Sequence, residues 1–118
     1  MDLREKNLRE LAKMLFSKKY EYVDEKQKIK GRSGKAWVFD AIIIGDGKFG
    51  VFIRDWKREI SITQIRQLHK ACKDVEEIEG GVMVCNLSSE FSENYGETFG
   101  IQLLDRGTII SKIRTTYF

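Results

Sequence analysis

The chain has 118 residues, of which 42% are hydrophobic and 33% are charged, and its formal net charge is +3. This length supports one hydrophobic core, so we expect residues 1–118 to form a single domain. No apolar run approaches the roughly 20 residues that cross a bilayer, and residues 2–5 are too charged to begin a secretory signal, which predicts a cytoplasmic protein without a membrane partner.

The first part of the chain has the pattern of a helix followed by a strand. Apolar residues recur at helical spacing from Leu8 to Leu15, which predicts an amphipathic helix over residues 3–17. A short strand is expected at residues 20–23, and the glycines in residues 30–34 predict a flexible basic loop after it.

Two apolar segments then flank a glycine-rich turn. Residues 36–44 predict a central strand that is covered on both faces of the sheet. Residues 48–56 are expected to pair with that strand as a hairpin, because Gly45 and Gly47 flank Asp46 in the turn between them.

The second half of the chain predicts helices that alternate with strands. Ser61 and Gln64 have the spacing of a capping box, so a second helix is expected to begin there. The elements that follow are a parallel strand at residues 82–85, a third helix capped by Ser88 or Ser89, a strand at residues 100–104 and one more short element in residues 108–118. The order αβββαβαβ predicts an α/β fold in which helices flank both faces of a mixed β-sheet.

A run of positive charge precedes the hairpin. Between residues 26 and 35 the chain carries no acidic residue, and its cations there are Lys26, Lys28, Lys30, Arg32 and Lys35. Such a patch could neutralise the phosphates of a nucleic acid, or it could be a solvated loop that happens to be basic.

Two carboxylates of the hairpin are candidate catalytic groups. Asp40 lies within an apolar strand, where a carboxylate is costly to bury without a metal, a base or several hydrogen-bond donors. Asp55 and Lys57 lie at the end of the next strand, and together with Asp40 they could hold Mg²⁺ or Mn²⁺ and activate water for phosphodiester cleavage. The alternative is that backbone amides or Arg54 satisfy Asp40.

The sequence resembles the Mrr-like branch of the PD-(D/E)xK, or restriction-endonuclease-like, nucleases, which include the archaeal Holliday junction resolvases. Asp40 in its apolar strand and Trp56 after the next strand carry the resemblance. The matching segments are residues 38–43, 51–58, 60–68, 81–92 and 100–105. The resemblance implies a restriction-endonuclease-like fold and DNA as the partner.

The catalytic motif of this family is degenerate here. The family has a Gln or Glu, one further residue and then a Lys shortly before the tryptophan, and anchoring on Trp56 places Phe52 and Arg54 at those positions. Phenylalanine cannot bind a metal, and arginine is a poor replacement for a lysine that helps to activate water. The family also tends to have a glutamate on the first helix, where this chain has Leu8. In this register only Asp40 remains of the family's site.

A second register restores the motif as Asp55-x-Lys57. Because neighbouring residues of a strand point to opposite faces, only a bulge or the strand end would bring Asp55 to Asp40.

These features support three hypotheses about function. The first is a catalytically degenerate domain that binds duplex or branched DNA through its basic loop and through Arg54, Lys57 and Arg58. The second is an endodeoxyribonuclease in which Asp40 and Asp55 bind Mg²⁺ or Mn²⁺ and Lys57 lies near the scissile phosphate. The third is a protein-interaction module that reuses the nuclease fold for a protein partner.

The remaining expectations concern assembly and stability. Enzymes of this fold cut two strands with paired subunits, and Tyr117 and Phe118 offer apolar surface, so a homodimer is expected. Cys72 and Cys85 lack metal-like spacing and are expected to be reduced and buried. The absence of proline and the many lysines and glutamates favour a thermophilic source.

Overall fold

The computed structural model of the protein describes residues 2–116. Its strands, in chain order, are β1 (Glu21–Val23), β2 (Gln27–Lys30), β3 (Ala36–Phe39), β4 (Ala41–Ile44), β5 (Lys48–Glu59), β6 (Ile78–Leu87) and β7 (Ile101–Asp105). Five of them form one sheet in the order β1-β4-β5-β6-β7, and β2 and β3 form a separate two-stranded ribbon. Within the sheet, β1, β4 and β5 are antiparallel neighbours, whereas β5, β6 and β7 run parallel.

Four helices cover the two faces of this sheet. They are α1 (Leu8–Phe16), α2 (Ile62–Asp74), α3 (Glu90–Thr98) and α4 (Arg106–Thr116). Helices α1 and α4 pack on one face, where they share a core with Val82 and Val84 of β6. Helix α2 packs on the other face with the ribbon, in a core that includes Met83 and Cys85. The alternation along β6 therefore buries both faces of the sheet.

The predicted α/β class and the mixed sheet are confirmed. The order αβββαβαβ is that of the main sheet and its helices, and α4 supplies the further element that was expected near the end of the chain. The cap of α3 is also confirmed, because the Ser89 hydroxyl accepts a hydrogen bond from the Ser92 amide at 3.1 Å. None of the helices within residues 2–116 is long and apolar enough to cross a membrane.

The first helix is shorter than predicted. A 3₁₀ turn occupies Leu3–Glu5, and α1 begins only at Leu8. The side chain of Asn7 causes the interruption, because it accepts a hydrogen bond from the Glu10 amide at 2.8 Å and caps a new helix start.

The prediction of a single strand over residues 36–44 was wrong. The chain bends at Asp40, so that residues up to Phe39 pair with β2 and residues from Ala41 pair with β1 and β5. The two halves of this apolar run therefore belong to different sheets. As a result, Asp40 lies where the ribbon leaves the main sheet.

Both cysteines are free thiols, as predicted. Cys85 is buried in the sheet and Cys72 is half-buried on α2. Burial raises the pKa of each thiol to about 12, so both stay protonated at neutral pH.

Candidate functional site

Asp40 is surrounded by hydrogen-bond donors. Its Oδ2 atom accepts a hydrogen bond from the Ile53 amide at 2.8 Å and another from Nη1 of Arg54 at 2.8 Å. Nη2 of Arg9 lies 3.8 Å from the other carboxylate oxygen. Only 13% of the Asp40 side chain is exposed, so two guanidinium groups neutralise a largely buried carboxylate.

The two arginines extend this contact into a network. Nη1 of Arg9 donates to Asp24 at 2.8 Å and to the backbone carbonyl of Asp40 at 3.1 Å. Nε of Arg54 donates to the side-chain oxygen of Gln64 at 2.9 Å. This last contact replaces the predicted capping box, because Ser61 occupies the cap position of α2 without a side-chain hydrogen bond. Arg54 was predicted to contact DNA. In the structure its guanidinium instead binds Asp40 and Gln64.

Asp55 is held by a different set of residues. Its Oδ1 atom accepts from the side-chain amide of Asn86 at 2.8 Å and lies 3.6 Å from Nη2 of Arg106. Its Oδ2 atom accepts from the Leu8 amide at 3.4 Å. Asp55 is therefore turned toward the starts of α1 and α4, whereas the neighbouring Arg54 is turned toward α2. The structure does not bring Asp55 to Asp40.

The metal that the family resemblance implies does not fit these residues. Mg²⁺ and Mn²⁺ prefer several oxygen ligands around one position. Here Asp40 accepts from Arg54 and the Ile53 amide and is paired with Arg9, whereas Asp55 accepts from Asn86 and the Leu8 amide and is paired with Arg106. Within residues 2–116, no group of three or more His, Cys, Asp or Glu side chains could hold a metal ion. Lys57 is exposed. The expected constellation of Asp40, Asp55 and Lys57 is not assembled.

An irregular bulge presents the next residues of β5 to solvent. Arg54 is paired with Cys85 and Glu59 with Leu87, so four residues of β5 stand opposite the single residue Asn86. The side-chain amide of Asn86 stabilises the bulge by donating to the Trp56 carbonyl at 2.7 Å.

The bulge carries two of the predicted DNA-binding residues. Trp56 packs against the edge of the core, and the guanidinium of Arg58 lies 4.6 Å from the centroid of its ring. Lys57 and Arg58 are both exposed. They remain available for a phosphate, unlike Arg54.

The ribbon formed by β2 and β3 carries most of the other predicted cations. One face of it packs on the core of α2 through Ile29, Trp37 and Phe39. The opposite face, which we call the outer face, contains the cross-strand pairs Lys28–Val38 and Lys30–Ala36, and all four of these side chains are exposed. Within residues 2–116, neither lysine forms a salt bridge, and no acidic residue lies on this face.

The turn at the tip of the ribbon is fixed to the end of α2. Gly34 adopts a φ of 92°, a conformation that favours glycine. The carboxylate of Asp74 accepts hydrogen bonds from the Ser33 amide at 2.9 Å, the Ser33 hydroxyl at 2.6 Å and the Trp37 indole nitrogen at 2.8 Å. The Arg32 amide donates to the Asp74 carbonyl at 2.8 Å. The expected flexible loop is therefore a turn held by three tertiary hydrogen bonds to Asp74, and Trp37 of β3 adds a fourth.

The remaining basic residues of the segment surround the ribbon. Arg32 and Lys35 lie in the turn, and Lys26 immediately precedes β2. All three are exposed, and the ammonium of Lys35 lies 4.0 Å from the centroid of the Trp37 ring. The cations at residues 26–35 thus share one ribbon.

Comparison with known proteins supports the fold alone. No protein-family model matches the chain, and no curated protein matches it. The fold is similar to the crystal structure of AF1548, a protein of unknown function, with a TM-score of 0.71 and 14% sequence identity. The similarity covers 87% of this chain but 62% of the AF1548 chain, so this chain spans less than two thirds of that protein.

Sequence analysis missed a second basic surface, on α2. Arg66, Lys70 and Lys73 are exposed and recur at helical spacing. Nε of Arg66 also donates a hydrogen bond to the hydroxyl of Tyr95 at 2.8 Å. The signal for this surface was the absence of any acidic residue between residues 62 and 73. Asp74 connects α2 to the tip of the ribbon, so the two basic surfaces belong to neighbouring elements.

Acidification is expected to release the tip of the ribbon from α2. Hydrogen bonds from the Ser33 hydroxyl, Trp37 and the Ser33 amide lower the pKa of Asp74 below its ordinary value. A carboxylate with a lowered pKa stabilises the folded state fully above its ordinary pKa of about 3.9, and that contribution is lost as the pH falls through the lowered pKa. In a Trp56→Phe background, Trp37 fluorescence should therefore be constant from neutral pH to about pH 4 and should change below it.

Asp74→Asn in the same background is the control for this titration. An asparagine does not ionise, so the acid transition of Trp37 fluorescence should disappear. An acid transition of equal size in this variant would show that another group controls the tip.

Proposed function

We propose that this domain binds the phosphate backbone of duplex or branched DNA and does not cut it. The observation that carries the proposal is the outer face of the ribbon, where Lys28 and Lys30 are exposed without any carboxylate partner among the described residues. Lys26, Arg32 and Lys35 extend the same positive surface at the two ends of the ribbon. Cations arranged in this way neutralise phosphates and release counterions.

The contacts of Asp40 support the non-catalytic part of the proposal. In a metal-dependent nuclease this carboxylate would be free to bind the cation, whereas here it binds Arg54, Arg9 and the Ile53 amide. The arginine that stands at the family's lysine position therefore takes the place of the metal beside Asp40. These contacts support the proposal that the chain is a Mrr-like nuclease domain with a degenerate site.

Lys57 and Arg58 provide a second point of contact in this proposal. Both are exposed on the bulge of β5, and Arg58 lies over the face of Trp56. The proposal assigns them to DNA phosphates outside the segment that the ribbon contacts.

The double variant Lys28→Gln, Lys30→Gln is expected to bind DNA at least about tenfold more weakly than the parent at 0.1 M salt. Each lost phosphate contact should also reduce the slope of log K against log salt concentration by about 0.9, or about 1.8 for the pair. Fluorescence anisotropy with a labelled duplex at a series of salt concentrations measures both quantities.

The matched control is Lys13→Gln, Lys19→Gln. These lysines are exposed on and just after α1, which packs on the opposite face of the sheet from the ribbon, and the change in net charge is the same. Affinity and salt slope close to those of the parent are expected. Equal losses in both double variants would contradict a defined surface, and a parent without salt-dependent binding would overturn the proposal.

A protein partner is a second candidate function, and two exposed apolar side chains favour it. Leu87 at the end of β6 is 52% exposed, and Phe91 at the start of α3 is 71% exposed. Only four positions separate them, so they could contact the same partner surface. The homodimer remains a prediction, and Tyr117 and Phe118, to which it was assigned, lie outside the described residues.

A further inference from the structure

The ribbon has the dimensions of an element that enters the major groove of DNA. Each of its strands has four residues, which corresponds to a length of about 13 Å, and the two strands lie about 4.8 Å apart. The major groove of B-DNA is about 12 Å wide and admits a two-stranded β-ribbon. The ribbon is therefore narrow enough to enter the groove, and its length is close to the width of the groove.

The side chains of the outer face suit this position. Lys28 and Lys30 alternate along one strand, and opposite them lie the small residues Ala36 and Val38. Val38 is 46% exposed although its neighbours Trp37 and Phe39 are buried. The small apolar groups are complementary to the methyl group of thymine, whereas the long side chains of Lys28 and Lys30 can extend past them to phosphates that border the groove.

The cations at the two ends of the ribbon suit the rims of the groove. Arg32 and Lys35 lie in the turn at one end, and Lys26 lies at the other. Because the ribbon is about as long as the groove is wide, cations at its ends would reach phosphates of both DNA strands. Asp74 holds the turn through Ser33 and Trp37, so little ordering of this element accompanies binding.

We propose that the β2–β3 ribbon lies in the major groove of duplex DNA with its outer face toward the base edges, and that Val38 contacts thymine methyl groups. This inference rests on the proposed DNA-binding function and adds the groove and the base-contacting residue to it. It requires B-form geometry, because the major groove of A-form RNA is too deep and narrow for a ribbon.

The test compares three duplexes of one A·T-rich sequence: DNA, the same DNA with uracil in place of thymine, and RNA. The full chain is expected to bind DNA at least about tenfold more tightly than RNA. Loss of one contacted thymine methyl group should weaken binding about fourfold, the value for one buried methylene-sized group. Val38→Ala should bind thymine and uracil duplexes equally, and its affinity for the uracil duplex should equal that of the parent. Val38 is exposed, so this variant is expected to fold.

The outcomes separate the two proposals. Equal binding to DNA and RNA, or a thymine preference that persists in Val38→Ala, would overturn the groove inference while leaving backbone binding in place. A parent that binds none of the three duplexes in a salt-dependent manner would overturn both.

Discussion

Replacing Asp40 by alanine is expected to lower the free energy of unfolding by about 3 kcal/mol, because it breaks a largely buried ion pair. The change removes the carboxylate to which Nη1 of Arg54 and the Ile53 amide donate and which lies beside Arg9, while Nε of Arg54 keeps its bond to Gln64. Arg54 is only 22% exposed, so water cannot fully replace the lost contacts. Urea denaturation of parent and variant measures the difference.

A double-mutant cycle separates the pair from the rest of the network. Arg54→Met alone is expected to be destabilising, because it leaves Asp40 with fewer donors. The cycle uses Asp40→Asn as its other single variant, and the double variant Asp40→Asn, Arg54→Met should lose less than the sum of Asp40→Asn and Arg54→Met, with a coupling of about 1 to 2 kcal/mol. Purely additive effects would contradict the pairing.

The surface pair of Asp2 and Arg4 provides the control. Their side chains lie 3.2 Å apart, but that of Arg4 is 76% exposed. Exposed ion pairs contribute little to stability. Arg4→Met removes this pair but keeps the hydrogen bond by which the Arg4 amide is capped by Asp2, so it is expected to leave the urea midpoint unchanged within the error of the measurement.

Manganese distinguishes a structural Asp40 from a metal ligand. A cation at free concentration c that binds only the folded state stabilises it by RT ln(1 + c/Kd), so the melting temperature rises with the logarithm of cation concentration above Kd. Because arginines already neutralise Asp40, Mn²⁺ is expected to leave the melting temperature of the parent unchanged. A rise in the parent that is absent from Asp40→Ala would restore the nuclease hypothesis.

The succession of helices and main-sheet strands along the chain was predictable because each element has its own periodicity and boundaries. The separation of β3 from β4 was not, because the apolar residues on either side of Asp40 are of similar type. Which half pairs with which strand depends on partners elsewhere in the chain. Residues 36–39 pair with β2, whereas residues 41–44 pair with β1 and β5.

Only the contacts of the candidate site between residues of neighbouring strands were predictable from the sequence. The register anchored on Trp56 placed Arg54 near Asp40, and the structure confirms that contact. The contribution of Arg9 comes from a residue 31 positions away, which no local pattern indicates. Gln64 has the spacing of a capping box, but its side chain accepts from Arg54, so a tertiary contact replaced a local one.

Gly50 makes room for the aromatic residue that joins the ribbon to the sheet, and Gly50→Ala is expected to destabilise the protein by about 2 to 3 kcal/mol. A Cβ atom at this position would lie 2.4 and 2.5 Å from two ring carbons of Phe39. The Phe39 ring is fully buried and packs 5.9 Å from that of Phe52, so it cannot move to solvent. The displacement would act on Asp40, the next residue of the chain. Thermal or urea denaturation measures the loss.

Gly107→Ala is the matched control, because it adds the same methyl group where there is space. Its nearest neighbour would be a carboxylate oxygen of Asp105 at 3.7 Å, and alanine favours the helix of α4, so stability should rise by about 0.5 kcal/mol. Combining Gly50→Ala with Phe39→Leu should relieve the clash and give a protein no less stable than Phe39→Leu alone. If Gly50→Ala were equally destabilising with either residue at position 39, the close approach of Phe39 would not be the reason for glycine at position 50.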